Sequence, residues 1–231
     1  MDSRDQARWV SGETTCQEQR CQLHLHAKQV RSKASKSDLL KRSRCCHFGF
    51  EQAGMRPSAR ISYDAEGVRS CFPQSYGLVQ QTLSAHKAAA RPLMSKNFKR
   101  LPLYFSRAQI EATKFVVVDR IPVPPLSSIG LSRYKEFERG DYDGITYLDT
   151  YFLKRSGAGD ESLHFHEMIH VVQWRLLRAE FFLAMYAGGL EKFGYRNSPL
   201  EKMAFDAQEL FDRSGSVFDA EKFVEQKLSG L

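Results

Sequence analysis

The chain has no cysteine after residue 71, so its last 160 residues contain no disulfide. All the cysteines lie before that point, and their odd number and spacing match no standard zinc or redox motif. Cys16 and Cys21 with His24 and His26 bear only a weak resemblance to a metal finger. A disulfide-stapled scaffold is therefore excluded for the larger part of the chain. The five cysteines are Cys16, Cys21, Cys45, Cys46 and Cys71.

The sequence also lacks a secretory signal and an uninterrupted apolar run long enough to span a bilayer. Arg178 and Glu180 interrupt the only candidate run. These absences predict a protein without an integral membrane segment, for which we expect a cytoplasmic location.

Acidic residues are scarce in the first part of the chain. Residues 1–100 hold 18 Lys and Arg against 8 Asp and Glu, whereas residues 101–231 hold 16 against 19, which together give the net charge of +7. Apolar residues in the first part rarely recur at helix or strand spacing, apart from possible short helices over 37–42 and 79–90. We therefore predict a basic, poorly ordered extension over 1–93 and a folded domain over 94–231.

Three interpretations of the extension compete. It could be a basic arm for nucleic acid or an anionic membrane, or an organelle-targeting leader. It could also be sequence translated upstream of the true start, at Met55 or Met94. We favour the last interpretation or a plain disordered tail, and nucleic-acid binding is the least favoured function for the chain.

The strongest chemical signal is the H-E-x-x-H set formed by His166, Glu167 and His170. On a helix, residues four apart share one face, so the two imidazoles can bind one metal ion. Glu167 then flanks that face, where a carboxylate can take a proton from water at the metal. The alternative is that two histidines merely share an exposed helical stripe.

Helical spacing around the motif predicts one long, largely buried helix over residues 160–187. Asp160, Glu161 and Ser162 are typical of a helix start, and Gly188-Gly189 is typical of a stop. The apolar positions that recur at three- and four-residue steps are Leu163, Phe165, Ile169, Val172, Leu176, Leu177, Phe181 and Leu183.

A zinc site needs a third protein ligand, and Glu201 on a predicted helix over 199–213 is the best candidate. A short connection would bring this helix back, antiparallel, over the two histidines. However, Ser198 and Glu201 also form an S-x-x-E capping box, in which Glu201 would bond the helix's own amides. The fallback ligands are Glu209, Asp206 and Glu191.

HEMIHVVQW, followed some thirty residues later by PLEKMA, resembles the gluzincin-type zinc metallopeptidases, particularly their small members. The resemblance implies one zinc ion per chain, with His166, His170 and Glu201 as ligands and Glu167 as general base. Many such proteins follow E-x-x-A directly with Asp, whereas Phe205 stands at that place here and Asp206 comes one residue later.

The remaining patterns predict an α+β fold. Residues 115–119 and 144–153 are expected to be strands of a small sheet spanning 115–155, and residues 106–113 and 217–228 are expected to be helices. A strand running into the metal helix could offer an edge for an extended peptide. Tyr195 and Arg196 precede the Glu201 helix and are candidates for stabilising a developing oxyanion.

Together these features predict a zinc-dependent hydrolase that acts on a peptide or protein substrate. The first alternative is a structural metalloprotein or an inactive peptidase, and the second is a nucleic-acid-binding protein that uses its basic extension.

Overall fold

The computed structural model describes residues 72–213 and 215–231, which belong to the compact unit Met55–Leu231. Three features discussed above lie outside the described residues: the five cysteines, the candidate initiator Met55 and the predicted helix over 37–42.

The described chain combines helices with a four-stranded sheet, which confirms the α+β class. The strands are β1 (Arg91–Pro92), β2 (Lys114–Val118), β3 (Gly144–Tyr147) and β4 (Thr150–Lys154), in the order β1-β2-β4-β3. β2 and β4 are parallel, and the two outer pairings are antiparallel. The α-helices are α1 (Phe72–Ala85), α2 (Arg107–Ala112), α3 (Lys135–Arg139), α4 (Glu161–Phe193), α5 (Pro199–Asp212) and α6 (Ala220–Ser229).

Local signals explain where the helices begin. Ser106, Asp160 and Asp219 accept bonds from first-turn amides at the starts of α2, α4 and α6. Pro199 occupies the first position of α5, where the missing amide costs nothing. The predicted helices over 106–113 and 199–213 are confirmed, and α6 begins three residues later than expected.

The single strand predicted over 144–153 is wrong, because the segment folds into a hairpin. β3 and β4 pair antiparallel, with Tyr147 opposite Thr150. Leu148 makes the turn at a φ of 58°. The sequence did not predict this turn, because residues with positive φ in such turns are usually Gly, Asn or Asp rather than Leu.

The predicted end of the metal helix at Gly188-Gly189 is also wrong. α4 continues to Phe193 and ends at Gly194, whose φ is 72°. Gly189 serves close packing instead, because a Cβ there would lie 3.0 Å from the Cβ of Ser198. α4 is also kinked at Arg178, whose φ of 60° and ψ of 163° belong to a region that non-glycine residues rarely occupy.

The domain boundary predicted at residue 94 lies too late. α1 packs on α4, and its Val79 is buried. β1 pairs with β2, and Leu93 joins the main core cluster. Residues 72–93 are thus part of the folded unit rather than of a disordered extension.

The core forms on both sides of the first half of α4. One cluster packs Phe165, Met168, Ile169 and Val172 against the sheet, α5 and α6. A second cluster surrounds Trp174 and Phe182. Within 72–213 and 215–231, no helix combines the length and apolar character that crossing a bilayer requires.

Candidate metal centre

His166, His170 and Glu201 converge at one buried point. The two Nε2 atoms lie 3.2 Å apart, and each lies 3.5 Å from Oε2 of Glu201. All three residues are at most 5% exposed. Two imidazole nitrogens and one carboxylate oxygen are a donor set that zinc accepts, and three protein ligands leave a fourth position open.

The sequence explains how two helices bring these groups together. His166 and His170 are four residues apart on the unkinked half of α4, so their rings lie on one face. Glu201 is in the first turn of α5, which packs on α4. Ala204, one turn later, is fully buried, and its small side chain lets the two helices approach closely.

Each histidine is oriented by a glutamine. Nδ1 of His166 lies 3.0 Å from Oε1 of Gln208, and Nδ1 of His170 lies 2.8 Å from Oε1 of Gln173. The amide of Gln208 donates to Ser162, and that of Gln173 donates to the Leu200 carbonyl. Since these bonds direct an amide oxygen at Nδ1, the Nδ1 atoms donate, and each imidazole in its neutral form would present the Nε2 lone pair to a metal.

Glu201 does not act as a helix cap. Ser198 makes no side-chain capping bond, so the capping-box interpretation is wrong. Oε1 of Glu201 accepts a bond of 2.6 Å from the Tyr186 hydroxyl. Oε2 is buried and has no hydrogen-bond donor, which leaves it pointing at the two imidazoles. An orphaned, buried carboxylate oxygen among imidazole nitrogens fits a bound cation.

The fallback ligands stand apart from this cluster. Asp206 and Glu209 pair with Lys202 and Arg213 on the surface of α5. Glu191 lies on the far half of α4 and contacts the Tyr134 hydroxyl. None of the three side chains belongs to the group that could hold the metal.

Glu167 is buried beside the cluster but is not one of its three members. Its Oε2 accepts a bond of 2.6 Å from the Thr146 hydroxyl on β3. Gly144 makes room for the carboxylate, because a Cβ there would lie 2.8 Å from Cδ of Glu167. Burial raises the pKa of Glu167, although the two imidazoles and Thr146 partly oppose that change. A carboxylate with a raised pKa is a suitable general base.

The charges of the cluster are strongly coupled. Burial alone would lower the pKa of His170, but the carboxylates of Glu201 and Glu167 raise it to about 9. Burial alone would raise the pKa of Glu201, but the two imidazoles hold it well below its usual range. Without a metal, this buried site therefore keeps a proton on His170 and a negative charge on Glu201.

His164 has a structural role on the other side of α4. Its Nδ1 contacts the Tyr151 hydroxyl at 2.5 Å, and its Nε2 contacts the Ala158 carbonyl at 3.1 Å. Burial lowers its pKa to about 4. This neutral imidazole is fully engaged within the core and does not belong to the metal cluster.

A pocket opens from the cluster and contains one of the two predicted loop residues. Tyr195 lines it, with its ring 5.2 Å from that of Tyr142. Burial and the nearby charge of Glu201 raise the pKa of Tyr195. Arg196 lies outside, with its guanidinium over the Phe205 ring. That ring packs on the imidazole of His166, with the two ring centroids 4.6 Å apart.

Four polar residues contact the cluster or Glu167 but were not predicted from the sequence: Gln173, Gln208, Thr146 and Tyr186. Helical spacing could have predicted two of them, because residues three or seven positions apart share a helix face: Gln173 is three residues after His170, and Gln208 is seven after Glu201. Thr146 carried no signal, because the hairpin was not recognised. Tyr186 carried none either, since the kink at Arg178 decides where its hydroxyl lies.

The chain matches no protein-family model, no curated protein and no solved structure.

Proposed function

We propose that this chain is a zinc-dependent hydrolase acting on peptide bonds. The observation that carries the proposal is that three buried side chains converge on one point while a fourth, a separate carboxylate, lies beside them. The Nε2 atoms of His166 and His170 and one carboxylate oxygen of Glu201 converge, and that oxygen has no hydrogen-bond partner. Glu167 lies beside them, and burial raises the pKa of its carboxyl group. A metal held by three ligands beside a separate carboxylate is the arrangement of hydrolytic zinc sites.

His166, His170 and Glu201 would hold the ion. Zinc, when bound, polarises a carbonyl group and lowers the pKa of water at the open position to near 7. Glu167 takes the proton from the attacking water and delivers it to the leaving amine. The Thr146 hydroxyl fixes the carboxylate through Oε2, which leaves Oε1 to exchange the proton.

Two further features suit a peptide substrate. β3 is an edge strand and lines the pocket together with Glu167, so an extended peptide could pair with it through main-chain bonds. The Thr146 carbonyl already accepts from the Trp174 indole, so such pairing would use the Gly144 end. Tyr195 is the candidate donor to the oxyanion that develops at the scissile carbonyl.

The test begins with metal content. The purified full chain should bind close to one zinc ion, and His166→Ala or His170→Ala should each remove most of it. Glu167→Gln should retain zinc and fold but lose peptidase activity by about two to four orders of magnitude, as expected for a general base. Loss of zinc in Glu167→Gln would mean that this carboxylate is a ligand.

A structural metal site is the second candidate, and the burial of all three ligands favours it. It predicts stoichiometric zinc, no cleavage of any peptide in a mixed library, and a large fall in melting temperature on chelation. Cleavage that Glu167→Gln abolishes without loss of zinc would exclude this candidate.

A further inference from the structure

We infer that the pocket beside the metal cluster receives a large apolar side chain from an internal residue of the substrate. This inference rests on the proposed peptidase function and adds the class of substrate. It follows from what forms the pocket walls, from where the hydroxyl groups of those walls point, and from the charges nearby.

The walls come from separate parts of the fold and are mainly apolar. α1 contributes Val79, the segment between β2 and α3 contributes Leu126 and Leu131, and the second half of α4 contributes Phe182 and Leu190. Glu167, His170 and Glu201 lie at the other end of the same pocket. A side chain inserted between these walls would therefore remain next to the groups proposed to carry out the reaction.

Five tyrosines add to the walls, and the hydroxyl groups of four of them bond to the protein itself. Four tyrosine hydroxyls donate to groups of the protein, so their rings are free to contact a ligand while their oxygens are already bonded. The four donors and their acceptors are Tyr134 to Glu191, Tyr142 to the Phe137 carbonyl, Tyr147 to the Pro122 carbonyl, and Tyr186 to Glu201. Apart from Tyr195, the candidate oxyanion donor, these tyrosines thus offer aromatic surface rather than hydrogen bonds to a substrate side chain.

The charges of the pocket disfavour a charged substrate side chain. Among the described residues that line it, the ionisable groups besides tyrosine are Glu167, His170 and Glu201, and no Lys or Arg contributes. All three are committed to the metal and to proton transfer. A substrate carboxylate or ammonium group would lose its hydration without gaining a partner. An uncharged side chain flanked by peptide bonds on both sides fits best.

The second half of α4, beyond the kink at Arg178, forms one side of the pocket. Beyond it, Phe182, Tyr186 and Leu190 follow at four-residue steps and line one side of the pocket together. Phe182 also stacks on Trp174, with ring centroids 3.9 Å apart. Trp174 is one of two tryptophans in the chain, and the other is Trp9. Its fluorescence in a Trp9→Phe background therefore reports on pocket occupancy.

The test is a binding titration that does not depend on turnover. The zinc-loaded Trp9→Phe/Glu167→Gln protein is titrated with acetylated tripeptide amides whose central residue is Leu, Phe, Ala, Asp or Lys, and Trp174 emission is recorded. The Leu and Phe peptides should bind at least about tenfold more tightly than the Ala peptide. The Asp and Lys peptides should bind more weakly than the Ala peptide. Equal affinity across the series would overturn the inference.

Two further variants locate the effect. Ala187 lines the pocket, so Ala187→Phe should fill it and abolish the preference for Leu and Phe while zinc content stays at one ion. Leu176 is exposed and outside the pocket, so Leu176→Phe is the matched control and should keep the preference. A preference that survives Ala187→Phe at full zinc content would place the apolar subsite elsewhere.

The outcomes separate the two proposals. If the Leu and Phe peptides bind more tightly but the Trp9→Phe protein cleaves none of the peptides, the apolar pocket is supported and the proposed hydrolase activity is refuted. If the Trp9→Phe protein cleaves peptides without preferring Leu or Phe, the hydrolase activity is supported and the apolar pocket is refuted. Absence of both binding and cleavage would refute both.

Discussion

Zinc affinity should keep rising with pH well beyond the range in which an ordinary histidine titrates. Metal ligands must be deprotonated, so a proton on a ligand competes with the ion. In the metal-free protein, the carboxylates of Glu201 and Glu167 overcome the effect of burial and raise the pKa of His170 from 6.5 to about 9. Zinc must therefore displace a proton from His170 at neutral pH.

The size of the effect follows from the two pKa values. If the pKa of His170 were 6.5, the dissociation constant would be nearly flat above pH 7.5. With the pKa of His170 at about 9, apparent affinity should rise about tenfold per pH unit well below pH 9 and level off near it, which gives about 150-fold between pH 6.5 and 9. The measurement is a competition titration against a chromophoric chelator whose own pH dependence is known.

Stability of the metal-free protein should move in the opposite direction. A raised folded-state pKa stabilises the fold fully below pH 6.5, and that contribution is lost as pH rises through about 9. The melting temperature of the metal-free protein should therefore fall over this interval. The zinc-loaded protein should not show this fall, because its His170 carries no proton.

Glu201→Gln is the matched control for this reasoning. Without the carboxylate, burial dominates and the pKa of His170 should return below 6.5, so the rise in affinity above pH 7 should disappear. Overall zinc affinity should weaken at least about tenfold, because a neutral amide is a poor zinc ligand. A wild-type dissociation constant that stays constant from pH 7 to 9 would refute the assigned coupling between His170 and Glu201.

Three other changes test the surroundings of the site. Gly144→Ala should leave zinc bound but displace Glu167, and peptidase activity should fall by at least about 100-fold; unchanged kcat would show that Glu167 is not held against β3. Arg178→Gly should stabilise the fold by about 1 kcal/mol in denaturant unfolding, since glycine adopts this backbone conformation without strain; a loss of stability would contradict that reasoning. Deleting 1–93 rather than 1–71 should cost more than about 3 kcal/mol, because residues 72–93 bury apolar side chains in the core; equal melting temperatures would contradict the packing described for this segment.

Sequence spacing was enough to predict that two histidines of one regular helix lie on the same face. His166 and His170 are related by a four-residue step, which requires only that the local backbone be helical. Glu201 could be predicted as a ligand but not separated from a capping role, since both interpretations require the same helix. The packing of α5 on α4 excludes the capping role, because it turns Oε2 towards the imidazoles and leaves Ser198 without its capping bond. The role of Glu201 as a ligand stays a prediction.

The predictions that failed concern backbone geometry that side-chain chemistry does not reveal. Leu148 makes a turn usually made by Gly or Asn, and Arg178 occupies a conformation usually reserved for Gly. Gly188-Gly189 resembles a helix stop but allows close contact with Ser198. In each case tertiary packing overrides the local preference, because the stabilisation from burying neighbouring side chains exceeds the local strain.

Local sequence patterns were sufficient to predict the α+β class, the helical pair of histidines with its flanking glutamate, and the helix that carries Glu201. These follow from periodicity and capping, which act over a few residues. Long-range packing, by contrast, places Gln208 beside His166, joins Thr146 to Glu167 and forms the apolar pocket. Thr146 and Glu167 are 21 positions apart and His166 and Gln208 are 42 positions apart, so their distances depend on the hairpin and on the packing of α5 against α4. The pocket also requires α1 to pack on α4.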